Sequence, residues 1–378
     1  MGTFITKLDA TGDGPRVAVK DIIDVVGVPT TAGCRAVQRT AAPAEADAAC
    51  LAGARAAGAR LVGKANLHEL AMLPLGTNPW FGTPVNPLDP DLIPGGSSSG
   101  CAVAVASGEA DVAFGSDTGG SIRVPSACCG TVGLKTTYGR VSRQGVWPLA
   151  PSLDTIGPMA TTVAGVTLGM QLLEPGFRPS EAPAQVVGRI RTAGHPDLEA
   201  AVDAALRASG LEVVTLDWDG LETGGQAFMG IFFSEIWDVD HELVGAHPDG
   251  VGADIAQAMA LADGLRHSMN DARHAQELMC RSLVDLFEQV ELLALPAMPV
   301  YPPRLDAINA ESLFGICIAI TKHIAPFNVA GTPCTAQPVP VPGSHLPASL
   351  QLVAPHNGEE LLVATAAHIE AAVLATAP

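Results

Sequence analysis

Two glycine-glycine turns carry serines in the stretch 94–125, PGGSSSGCAVAVASGEADVAFGSDTGGSIRVP. The first turn holds Ser97, Ser98 and Ser99, and the second holds Ser121. A flexible spacer would be polar and unordered, but GGSSSG runs directly into the apolar CAVAVAS. The alternative is a pocket that the backbone must approach closely. In DTGGSIR, successive amides around Gly119 and Gly120 can face one point, the geometry that holds the oxyanion of a tetrahedral intermediate. Ser121 ends that turn, where it can attack a carbonyl. A serine is a weak nucleophile until a base takes its proton. No histidine cluster lies nearby, His68 apart. Lys20, in VAVKDIID, interrupts an apolar run where a surface lysine is not expected. Burial lowers a lysine pKa from about 10.4, and a neutral amine accepts a proton. The same lysine also reads as half of a structural ion pair with Asp21 or Asp24.

Other chemistries fit less well. A phosphate loop needs a closing G-K-[ST], which is missing here. Neither GGSSSG nor GGSIR matches the G-x-S-x-G nucleophile elbow. The eight cysteines, Cys34, Cys50, Cys101, Cys128, Cys129, Cys280, Cys317 and Cys334, form no C-x-x-C pair and mostly sit in apolar contexts. They read as buried, reduced thiols and not as a zinc or redox site. A formal net charge of −18 argues against nucleic acid and against an anionic membrane face as partners. The opening MGTFITKLDATGDGPR has no apolar stretch after a basic one, and no apolar run reaches 18 residues. A cytoplasmic location is therefore expected.

The 378 residues are 48% hydrophobic and 16% charged, enough to supply a large core. RVAVKDIID reads as a strand entering a turn, AEADAACLAGARAAGA as a helix and RLVGKAN as a strand. GCAVAVASGEA reads as a buried helix and ADVAFGSDTGG as a strand ending in glycines. HPDLEAAVDAALRASGLEVVTLDW is a helix followed by a strand, and residues 253–296 are two helices leading to a strand. The tail is a strand, a loop and a closing helix. The fold class is α/β, one domain over 1–378 with a central mixed, mostly buried sheet covered by helices.

Three segments resemble the amidase signature hydrolases: VAVKDIIDVVGVPTTAG, the long run from PGGSSSG through LDTIGPMATTV, and FNVAGTPCTAQPVPVPG with LPASLQLVAP. The resemblance covers about half the chain and divides it into a signature core (16–165), a variable substrate-shaping region (166–300) and a C-terminal part of the core (301–378). It implies Ser121 as nucleophile, Ser97 as a bridging serine after a cis Gly96–Ser97 peptide, and Lys20 as base. The 24 positions from Ser97 to Ser121 match the family's spacing. It further implies an oxyanion hole of the N–H groups of Thr118, Gly119, Gly120 and Ser121, an acyl-enzyme, and no metal or organic cofactor.

Asp117 and Arg123 flank the turn and are expected to brace it, with Ser98 either in the pocket or, with Ser99, capping the next helix. Trp80 and Trp147 either line the site or are core aromatics, and His68 belongs to a helix surface or a satisfied core. The expected activity is hydrolysis of a small-molecule carboxylic amide, in the manner of compact amidases acting on indole-3-acetamide. The alternative is a glutaminase-like amidotransferase subunit that needs a partner protein. A homodimer is a further open expectation.

Overall fold

A computed structural model describes residues 2–376; Met1, Ala377 and Pro378, the outer limits of the domain expected over 1–378, lie outside the described residues. Its strands are β1 (Phe4–Lys7), β2 (Arg16–Lys20), β3 (Arg60–Ala65), β4 (Val112–Asp117), β5 (Val132–Lys135), β6 (Thr155–Ala160), β7 (Val186–Ile190), β8 (Glu212–Leu216), β9 (Leu292–Pro296), β10 (Cys334–Val339) and β11 (Ala348–Val353). They form one eleven-stranded sheet in the order β1-β3-β2-β4-β6-β5-β10-β11-β9-β7-β8. β2 runs parallel to β3 and β4, and β7 parallel to β8 and β9. The other neighbours are antiparallel, so the sheet is mixed.

Every residue of β4, β5, β6, β9 and β11 is buried. These strands therefore read as mostly apolar runs instead of alternating ones, with the polar residues Ser116, Asp117 and Lys135 at their ends. Side chains alternate faces along a strand, and β9 shows what each face meets. Leu292 and Ala294 join Leu350, Val202 and Ile369 in one core cluster. Leu293 and Leu295 join Val19, Phe114 and Ile255 in the other. Helices cover both faces.

The two helices expected within 253–296 span Ala253–Leu265 and Met269–Phe287, ahead of β9. The helix Pro196–Ser209 has Asp197 and Glu199 in its first turn and closes on Gly210 in the left-handed region, φ 69°, as its end signals dictate. The alanine-rich stretch is less helical than its composition predicts. Only a turn at Ala49–Leu51 and a helix Ala52–Ala56 form, because Asp47 spends its carboxylate on the Val26 N–H and the Arg55 guanidinium, which fixes the preceding chain in a loop.

The largest element that the sequence pattern conceals is the 27-residue helix Gly220–Ala246. Five glycines lower its intrinsic propensity. Packing against the Ala253–Leu265 and Met269–Phe287 helices supplies what propensity lacks.

Candidate active site

Because β2 and β4 are parallel neighbours, their C-terminal ends open on the same edge of the sheet. Lys20 ends β2, and Ser116 and Asp117 end β4. Lys20 is fully buried, with Nζ 2.6 Å from Ser97 Oγ and 2.8 Å from Ser116 Oγ. Burial pushes its amine down to about 7, against the pull of Cys101, Asp117 and Asp154. A neutral amine has one lone pair and two N–H groups, so it can accept from one hydroxyl and donate to the other. The ion pair expected as an alternative does not form with either neighbour: Asp21 pairs with the buried Lys64 at 2.9 Å, and Asp24 accepts from Thr30 Oγ1 at 2.7 Å.

Ser97 follows a cis Gly96–Ser97 peptide, and its carbonyl accepts the His68 N–H at 3.0 Å. The Ser98 N–H donates to the Ser121 carbonyl at 3.1 Å, and Ser98 Oγ donates to the Ser116 carbonyl at 3.2 Å. Ser98 thus staples both serine turns to β4 and does not cap the helix Ser99–Ala106, which has no side-chain cap. The hydroxyls of Ser97 and Ser121 share no direct hydrogen bond among the described residues. Such contacts commonly tighten only when substrate is bound.

Ser121 is 7% exposed and lines a cavity of about 550 Å³ together with Thr118 and Gly119. The amides of Thr118, Gly119 and Ser121 donate to no protein group among the described residues. Gly120 departs from the expectation. Its N–H donates to Asp117 Oδ1 at 2.9 Å and is already engaged, so three of the four expected oxyanion donors remain free. Gly120 also has φ +122°, which only glycine adopts easily.

Asp117 and Arg123 are both buried and meet in a two-pronged pair, Nε to Oδ2 at 3.0 Å and Nη2 to Oδ1 at 2.9 Å. Asp117 also accepts the Ile122 N–H and the Asn328 Nδ2. Burial pushes its carboxyl up, yet the Arg123 guanidinium, with Lys135 and Asn328, outweighs that and holds it well below the usual range. Arg123 reaches on to Gln351 Oε1 at 2.8 Å and Asn328 Oδ1 at 2.6 Å. A carboxylate at the end of β4 therefore shapes the turn, and the C-terminal part of the chain holds its counter-ion.

The cavity walls are mainly apolar: Leu73, Leu149, Leu221, Phe228, Phe232 and Ile318 among them. Phe228 and Phe232 stack with centroids 5.0 Å apart. Gly119 lies so close to Phe228 that a Cβ there would come within 2.4 Å of the ring. Neither Trp80 nor Trp147 lines this cavity. His68 is buried, its Nε2 3.2 Å from Asp254 Oδ2, and the described cysteines are free thiols, all buried except the half-buried Cys280.

Sequence reasoning missed Ser116, Asp154, Asn328, Gln351 and Phe228. Thr118 Oγ1 donates to Asp154 Oδ1 at 2.7 Å. The one usable signal was a long polar residue inside a mostly apolar strand, as with Gln351 in ASLQLV. Among the described residues no cluster of side chains is suited to a metal ion, and no helix is long and apolar enough to cross a membrane.

A serine beside free amides lines an apolar cavity, and a buried amine is hydrogen-bonded to a second serine nearby; these are the groups that acyl transfer uses. The chain belongs to the amidase signature family, whose amidase profile matches residues 13–363. It is 33% identical to a glutamyl-tRNA(Gln) amidotransferase subunit of Halobacterium salinarum, over 98% of this chain and 99% of that protein. It is 33% identical to a 1-carboxybiuret hydrolase subunit of Pseudomonas sp. strain ADP, over 91% of this chain and 80% of that one. A crystal structure of an amidase superimposes with a TM-score of 0.84 at 30% identity, covering 95% of this chain and 84% of the other.

Proposed function

We propose that the protein hydrolyses the C–N bond of a small carboxylic amide whose acyl part is apolar. Neutral Lys20 takes the Ser97 proton as Ser97 takes that of Ser121, and Ser121 Oγ attacks the carbonyl carbon. The amides of Thr118, Gly119 and Ser121 face the oxygen that becomes negative. The proton returns through Ser97 to the nitrogen, which leaves as ammonia or an amine. Water then cleaves the acyl-Ser121 ester. Asp117 and Arg123 keep the turn in shape.

The observation that carries this reading is the fully buried Lys20 amine 2.6 Å from Ser97 Oγ. Membership of the amidase family supports the bond type. The lining of the 550 Å³ cavity supports the apolar acyl part, because its charged members, Glu222 and Lys322, are both exposed. The test is ammonia release by the purified chain from a panel of primary amides. Turnover of phenylacetamide or hexanamide that disappears in Lys20→Ala supports the reading. Full activity in that variant overturns it.

A second reading is a subunit that works with a partner protein, favoured by the amidotransferase and hydrolase subunits among its relatives. It predicts that the isolated chain hydrolyses neither these amides nor glutamine until a second protein is added.

A further inference from the structure

Lys20 has two hydroxyl partners, and the proposed mechanism uses only one. Ser116 is the other, at 2.8 Å. Behind Ser116 lies a second cavity of about 180 Å³, lined by Ile22, Ser116, Arg143, Trp147, Asp154 and Ile156 among others. At about 30 Å³ of liquid volume per molecule it has room for several waters. Its polar lining suits them: the Ser116 hydroxyl, the Asp154 carboxylate, the Arg143 guanidinium and the Trp147 indole N–H, which is buried and has no protein partner. Arg143 also lines an outer groove with Tyr138, Pro151 and Ser152, and Pro148, which lines the inner cavity, is exposed, so the inner cavity lies next to the surface. The Thr118–Asp154 hydrogen bond and the Leu149 side chain, which lines both cavities, lie between this cavity and the substrate pocket.

Proton accounting gives the second cavity a task, provided the Lys20–Ser97–Ser121 reading holds. Acylation moves the Ser121 proton to the leaving nitrogen. Deacylation takes one proton from water through Lys20 and returns it to Ser121, leaving a carboxylic acid beside a neutral amine. The acid's O–H bond breaks, its proton passes through Ser97 to Lys20, and the product becomes a carboxylate. Lys20 is then an ammonium and must lose one proton before the next cycle. While carboxylate fills the apolar pocket, the front route is closed.

We propose that Ser116 and the cavity behind it form a rear proton outlet for Lys20, separate from the substrate pocket. The ammonium N–H donates to Ser116 Oγ as the Ser116 hydroxyl proton passes to water in the cavity, and from there past Arg143 to solvent. The groups facing Lys20 are Cys101 from the Ser99–Ala106 helix, Asp117 from the end of β4 and Asp154 from the loop before β6. Ser116 is thus a positioning residue whose effect falls on recycling, not on acylation.

The test separates those two steps with a chromogenic amide, comparing the single-turnover acylation burst with steady-state kcat. Ser116→Ala should lower kcat about a hundredfold, the low end of what a positioned proton relay supplies, while the burst rate changes less than about threefold. Ser116→Thr keeps a hydroxyl and should restore kcat. Val146→Phe, which fills the cavity from its rim, should reproduce the split and serves if Ser116→Ala fails to fold. Burst and kcat falling together, or neither falling, overturns the outlet. A burst that persists in Lys20→Ala instead overturns the triad reading beneath it.

Discussion

Asp117 and Arg123 lie six residues apart and bind each other side-on with neither exposed to solvent, at 2.9 and 3.0 Å. The pair ties the serine turn to Asn328 and Gln351, more than 200 residues further along the chain. Breaking a buried pair by removing one partner costs about 3–5 kcal/mol, because the other charge is left uncompensated. Arg123→Met should therefore lower unfolding stability in urea by that amount, and Asp117→Asn added to it should recover part of the loss. The native state prefers the Asp117 carboxylate more than the unfolded chain does. Its contribution is therefore complete above the unfolded carboxylate range, about pH 4, and is lost as pH falls toward the lower folded value. Wild type should lose stability in acid more steeply than the double variant.

Burial pushes the Lys20 amine down to about 7, inside the range where activity is assayed. For the proposed relay, kcat/KM should rise about tenfold per pH unit below 7 and level off above it. Lys20→Ala should fall by about 10²–10⁴ and show no such limb. Stability moves with the same sign. The folded value lies below the unfolded one, so burying the amine is most costly in acid and costs nothing above the unfolded range. Lys20→Met should stabilise the protein at pH 6 more than at pH 10, as urea midpoints would report.

The parts legible in the sequence are those whose signal is local. Lys20 interrupts an apolar strand, Ser97 and Ser121 stand on paired glycines, and Asp117 with Arg123 brackets one turn. Ser116 is an ordinary residue type one position before Asp117, and only the pairing of β2 with β4 brings it to Lys20. Asn328 and Gln351 reach Arg123 through tertiary structure alone. Phe228 lies on a glycine-rich helix whose propensity hid it. The engaged Gly120 amide was unreadable too, because it depends on how Asp117 folds back over the turn.

Gly119 and Phe228 give a test of how tightly the variable region presses on the turn. A methyl at residue 119 would lie 2.4 Å from the Phe228 ring, and such overpacking typically costs about 1–3 kcal/mol. Gly119→Ala should lower kcat/KM well beyond its effect on melting temperature, because the displaced amide is one of the free donors. Phe228→Leu in the same chain should restore part of the rate by giving the methyl room.

The apolar cavity predicts how rate follows substrate length. Each buried methylene contributes about 0.8 kcal/mol, roughly a fourfold gain. Along straight-chain amides from propanamide upward, kcat/KM should climb by about that factor per carbon until the 550 Å³ cavity is filled, then level off. Glutamine, whose charged ammonium and carboxylate would enter a wall of Leu149, Leu221 and Phe232, should be turned over far more slowly than hexanamide. Leu221→Asp should flatten the series, since a carboxylate in that wall holds water that the chain would otherwise displace. A glutamine rate above that of hexanamide in the isolated chain would show that the acyl group does not bind against this wall.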